Sequence, residues 1–97
     1  MFNIDVTDSA SDDLGWFRKH EQTNIANQIE LQLTHQPNVE TRNRKRLRPN
    51  QLAEWELLID NFRVFYNVDE HARVVEVKAV MLKDGSKLVA RGKEIQL

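Results

Sequence analysis

The 97-residue chain predicts an α+β domain: two N-terminal helices packed on one face of a twisted, mainly antiparallel four-stranded sheet, in the order β-α-α-β-β-β. Three observations carry this. "FNIDVT" and three runs between Trp55 and Met81 alternate apolar and polar residues with a period of two. Between the first run and the others, apolar residues recur at helical spacing. The last three runs are joined by short links, which makes sequence neighbours into neighbours of an antiparallel meander.

Taken in order, Phe2, Ile4 and Val6 mark a half-buried first strand. "TDSASDDL" then offers Thr7, Asp8 or Ser9 as an N-cap, and Asp12-Asp13 reads as a complement to the helix dipole. Ala10, Leu14 and Phe17, or Ala10, Asp13 and Phe17 on a shifted face, carry a short helix to about Arg18 or His20. A second helix spans Gln22 to Thr34 with Ile25, Ile29 and Leu33 on one stripe, and Pro37 ends it. From Asn38 to Ala53 no period holds, and this stretch contains "RNRKRLR", Arg42 to Arg48. "WELLID", "FRVFYNV" and "RVVEVKAVML" are the three later strands, followed by a turn at Asp84-Gly85. The tail "LVARGKEIQL" reads as one short strand, as two strands about Arg91-Gly92, or as a segment ordered by a partner. The expected core is Phe2, Ile4, Val6, Leu14, Phe17, Ile25, Ile29, Leu33, Trp55, Leu57, Ile59, Phe62, Val64, Tyr66, Val75 and Val77.

Length allows one domain, residues 1–97, with a modest core. Hydrophobic residues make 40% and charged residues 30%, a globular balance. The absence of cysteine excludes disulfides and thiolate metal sites. No apolar run approaches the roughly 18 residues of a membrane span, and the acidic start is unlike a signal peptide, so the reading is a soluble, cytoplasmic protein. The net charge of −1 hides an asymmetry. Residues 1–41 carry seven acids against Arg18 and Lys19, and the remainder twelve bases against eight acids. That division suits a protein that meets an anionic target with one side, and equally two solvated surfaces.

The face away from the helices is expected to show Glu56, Leu58, Asp60, Arg63, Phe65, Asn67, Val74, Glu76, Lys78 and Val80. Leu58, Phe65, Val74 and Val80 would form an apolar contact patch unless the tail, through Leu88, Val89 and Ile95, folds over it. Arg63 either offers bidentate contacts to a phosphate or pairs with Glu76 or Asp60 across the sheet. The basic segment attracts any polyanion or is a solvated loop. His20, His35 and His71 lack metal-ligand spacing, the serines lack a nucleophile elbow, and the three glycines form no phosphate loop.

These residues resemble, over nearly the whole chain, the RelE/ParE superfamily of bacterial type II toxin–antitoxin toxins. "FNIDVTDSASDDL" is similar to the family's first strand and helix start, and "LTHQP" to the end of its second helix. "KRLRPNQLAEWELLIDNFRVFYNVDEHARVVEVKAV" resembles its signature: a basic residue plus Leu, an aromatic-led strand, an aromatic–Arg–Val strand and a Val-rich strand. The resemblance implies a small toxin without cofactor or metal, neutralised by a cognate antitoxin that wraps it; it leaves self-association undetermined. RelE-like members cut mRNA on the ribosome with basic side chains and often a C-terminal tyrosine; ParE-like members bind DNA gyrase. Carried over by residue, it assigns catalysis to Arg63, Lys83 and Arg48. RNA or target contacts fall to Arg42, Arg44, Lys45, Arg46, Lys78, Lys87 and Arg91, and antitoxin contacts to Leu58, Phe65 and Val80. The sequence departs from cutting members in having Glu56 and Leu58 where they place lysines, Lys83 where they place arginine, and no tyrosine near Val89. Three functions are therefore expected in turn: ribosome-dependent mRNA cleavage, gyrase binding without catalysis, or a module that retains only antitoxin binding.

Overall fold

In the computed structural model, which describes residues 1–97, the first alternating run forms β1 (Asn3–Val6). Thr7 ends it and caps α1 (Asp8–Leu14), its hydroxyl accepting the Ala10 N–H at 3.2 Å. Helix α1 stops at Gly15, earlier than the apolar spacing predicts, and α2 (Lys19–Leu33) starts earlier than Gln22. The cause is local capping: the Glu21 carboxylate accepts the Arg18 N–H at 3.0 Å, and the Gln22 side chain donates to Phe17 O at 2.8 Å. Ile25, Ile29 and Leu33 are buried, as their stripe requires.

The sheet has seven strands where four were expected. Strands β2 (Arg44–Arg46), β3 (Trp55–Ile59), β4 (Phe62–Asp69), β5 (Val74–Asp84), β6 (Lys87–Ala90) and β7 (Lys93–Ile95) follow one another, each antiparallel to the last. β1 lies parallel to β5. Strand β2 emerges from the basic segment; three residues are too few to display a period. The tail takes the two-strand form and turns at Arg91-Gly92, with φ of 52° and 77°. Gly92 suits that left-handed geometry; Arg91 needs compensation for it.

The helix-side core joins Phe2, Ala10, Ile25, Ile29 and Leu33 to the inward residues of β3, β4 and β5, with Ile4, Leu14 and Phe17 partly buried against it. Val6 is exposed, contrary to expectation. Tyr66 stacks on Trp55 and donates its hydroxyl to Pro37 O at 2.7 Å.

One register shift reorganises the far face. Phe65 pairs with Ala79 but Tyr66 pairs with Val77, so Lys78 is an extra residue bulged out of β5. Beyond a one-residue bulge every side chain changes face. Val80, expected outside, enters the helix-side core, while Ala79 and Met81 turn to the opposite side. The bulge sits where β5 has no strand along one edge: β1 covers Val74–Val77 and β6 begins at Leu82. Helix α1 fills the gap. The Asp13 carboxylate accepts the Val80 N–H at 2.9 Å, and Thr7 donates from backbone and hydroxyl to Val77 O. Asp13 is thus a buried acceptor rather than a dipole complement in solvent.

Candidate functional site

The face opposite the helices is not the open apolar platform that the alternation predicts. Phe65 is fully buried in a second cluster with Ala53, Ala79 and Met81, closed over by Leu47, Leu52, Leu88, Ala90 and Ile95. The last three belong to the β6–β7 hairpin, so the tail folds back over Phe65. A buried Phe65 and a buried Val80 present no surface to a partner, and of the three expected contact residues only Leu58 keeps partial exposure.

Arg63 stands on this face beside Leu58 of β3 and Met81 of β5. Its Nη1 donates to Asp60 O and Phe62 O, both at 2.9 Å. None of the four ion pairs in the molecule includes it. The N–H groups on Nε and Nη2 therefore remain available in the fork geometry that suits a phosphate. Asp60 holds the turn before it at φ 51°, in the left-handed region, which fixes the carbonyl that anchors Nη1. Lys83 is exposed on the same face, one diagonal step from Arg63 across the β4–β5 pair. Diagonal neighbours stand roughly 7–8 Å apart at their α-carbons, within reach of one phosphate for two long side chains.

The third expected catalytic cation is elsewhere. Leu47 donates to Glu54 O, so Arg48 leaves the sheet beyond the Trp55 end of β3, whereas Arg63 faces Leu58 at the other end. Four residue rises and two strand spacings separate those ends, on the order of 13 Å along and 10 Å across. Arg48 does not join Arg63.

The remaining cations divide by their partners. Arg44 is buried, donating from Nε to Val39 O at 3.0 Å and from Nη1 to Gln32 O at 2.9 Å and Gln32 Oε1 at 3.0 Å. It holds the C-terminal end of α2 to the loop at Val39 and is withdrawn from any target, because its donors are spent on these carbonyls. Arg46 lies over Trp55, 5.5 Å from the ring centroid, and 3.9 Å from Glu54. Lys78 is 3.6 Å from Glu76, Lys87 is 3.7 Å from Glu94, and Arg91 is 2.7 Å from Asp13. Arg91 also donates to Ser9 O at 2.8 Å, which ties the hairpin turn to α1. Arg42 and Lys45 are exposed, and Lys45 pairs in register with Glu56.

Sequence reasoning missed two residues of this region. Asp13 carries the bulge and the hairpin together; its signal, one acid on the shifted apolar stripe with Ala10 and Phe17, was present but ambiguous. Trp16 is 64% exposed, and nothing in periodicity marks it, because it stands between the two helices. No helix is long and apolar enough to cross a membrane. Burial raises the Tyr66 hydroxyl far above its ordinary range, so Tyr66 is a neutral core group, 2.7 Å from Pro37 O and not a proton donor at the surface.

No family model matches the chain, and no curated protein matches it in sequence. Among solved structures, it is similar to a chain of the toxin–antitoxin complex RelBE2 from Mycobacterium tuberculosis. The TM-score is 0.71 at 19% identity, over 81% of this chain and 94% of that one. At that identity the likeness speaks for the architecture. With two helices on a mostly antiparallel sheet that superposes on nearly all of the neighbour, the chain has the RelE fold.

Proposed function

We propose that the chain is the toxin of a toxin–antitoxin pair, held by a cognate antitoxin and, when released, cutting mRNA on the ribosome. The observation that supports this reading is Arg63: a guanidinium anchored on two backbone carbonyls, claimed by no acid, with Lys83 diagonal to it. Such a pair binds the phosphate on either side of a scissile bond and stabilises the charge that grows on its oxygens. In this reaction the 2′-hydroxyl gives its proton to water as it attacks the adjacent phosphorus, the bond to the 5′-oxygen of the next nucleotide breaks and that oxygen takes a proton from water, and a cyclic phosphate forms. Arg63 and Lys83 serve as the electrostatic half of that chemistry. Arg48 stands outside the reacting centre and acts as a longer-range attractor of RNA.

A second reading has its own observation. Glu56 shares the face with Arg63, and the only tyrosine is buried, so a binding toxin directed at DNA gyrase fits the absence of a surface phenol. Sequencing the 5′ ends of cellular transcripts after inducing the chain alone separates the two. New ends that vanish with Arg63→Ala support cleavage. Unchanged transcripts with arrested supercoiling by purified gyrase overturn it in favour of the binding toxin.

A further inference from the structure

A groove of about 560 Å³ runs beside the Lys78 bulge, between the end of α1 and the β6–β7 hairpin. Its floor is apolar, with Leu52, Met81 and Ile95, and its rim carries Lys78, Arg91 and Lys93. Trp16 forms one wall. A β-carbon at Gly92 would stand 3.6 Å from Cζ3 of this indole, so the ring lies against the hairpin turn while most of its surface faces solvent.

We infer that this groove is a stacking site for one base of a single-stranded RNA, with Trp16 as the platform and Lys78 and Lys93 on the adjoining phosphates. The inference deepens the RNA-cutting reading and rests on it. Three arguments meet here. The fold does not need the indole, since an exposed Trp contributes little to a core it does not enter, whereas base–aromatic stacking rewards this exposure. The charge is complementary: three cations line the groove and its one acid, Asp13, is buried and already engaged by Arg91 and Val80. Lys93 is in none of the ion pairs, and the partly exposed Lys78–Glu76 pair, 3.6 Å apart, is weak enough to yield to a phosphate. Finally, the groove opens on the same side of the sheet as Arg63, since Met81 lines it and pairs in register with Arg63 across β4 and β5. From Lys83 to Lys78 is five residue steps of strand, about 17 Å. An RNA strand that spans this distance over the outside of the β6–β7 hairpin would place a phosphate at Arg63 and an unpaired base on Trp16. Its volume lies within the range of pockets that take a nucleotide-sized ligand.

The test is a fluorescence titration of the full chain with a 2′-O-methyl single-stranded hexanucleotide, which binds but cannot be cut because the attacking hydroxyl is blocked. Trp16 is the solvent-facing indole and Trp55 is buried, so quenching reports on Trp16. The expected result is quenching that disappears in Trp16→Ala, with affinity lowered roughly five- to hundredfold, and that persists largely in Trp16→Phe. Lys93→Ala should flatten the dependence of log affinity on log salt by about 0.7. Equal binding by Trp16→Ala, or equal quenching by a duplex of the same sequence, would overturn the inference. Transcript cutting that depends on Arg63 but not on Trp16 would also sink the stacking site while leaving the proposed function intact. Trp16-dependent RNA binding without any cutting would do the reverse.

Discussion

Replacing Asp13 by alanine should destabilise the domain far more than replacing its neighbour Asp12. Asp13 is buried and its two oxygens serve two elements: Oδ2 accepts the Val80 N–H at 2.9 Å, and Oδ1 accepts Arg91 Nε at 2.7 Å. Removing the acceptor leaves the Val80 N–H buried and unpaired at a bulge where no strand can replace it, a loss of about 1–3 kcal/mol. The freed Arg91 is 38% exposed in its side chain, so it regains water and its share is discounted to ~1 kcal/mol. Arg91 also loses the partner that offsets its left-handed backbone. The sum is about 2–4 kcal/mol, which in a domain of this size lowers the melting temperature by roughly 10–25 °C. Urea unfolding measures it as a fall in midpoint, with Asp12→Ala within about 0.5 kcal/mol of the parent because Asp12 is exposed. A double-mutant cycle with Arg91→Ala should show non-additive losses. If Asp13→Ala unfolds within 0.5 kcal/mol of the parent, the bulge is not held by this carboxylate and the account of Val80 is wrong.

Two further outcomes follow from buried groups. The raised Tyr66 hydroxyl stays protonated in the folded chain above the ordinary tyrosine value of about 10, while the unfolded chain ionises there; stability therefore falls as pH rises past that value. As the chain holds one tyrosine, absorbance near 295 nm should show no phenolate at about pH 11 until the protein unfolds, and Tyr66→Phe should remove the alkaline fall in urea midpoint. Arg44→Ala should lower stability by about 1–3 kcal/mol through the lost hydrogen bonds to Gln32 and Val39, whereas Arg42→Ala, on an exposed loop, should change it by less than about 0.5 kcal/mol. Equal effects of the two would mean that Arg44 does not hold α2.

The elements that alternate or repeat were legible from local pattern alone: Ile25, Ile29 and Leu33 face inward, and β3 and β4 bury Trp55, Leu57, Ile59, Phe62, Val64 and Tyr66 as their period demands. Arg63 stands on the outward face that the alternation of β4 predicts, and of the pairings weighed for it none with an acidic side chain forms; its Nη1 is held by backbone carbonyls instead. What local pattern could not carry is register. "VEVKAVML" alternates equally well whether or not Lys78 is an extra residue, so Val80 and Met81 exchange faces without any trace in composition. That choice belongs to Asp13, 67 positions away, and to the chain edge that β1 and β6 leave uncovered between them. In the same way a run of five cations cannot announce which will be buried: Arg44 lost its solvent to the end of α2 only once the helix and sheet were packed, while Arg46, lying over the Trp55 ring, stays exposed. Side-chain periodicity is a property of each segment, whereas the partner of a backbone N–H or a guanidinium is a property of whatever folds against it.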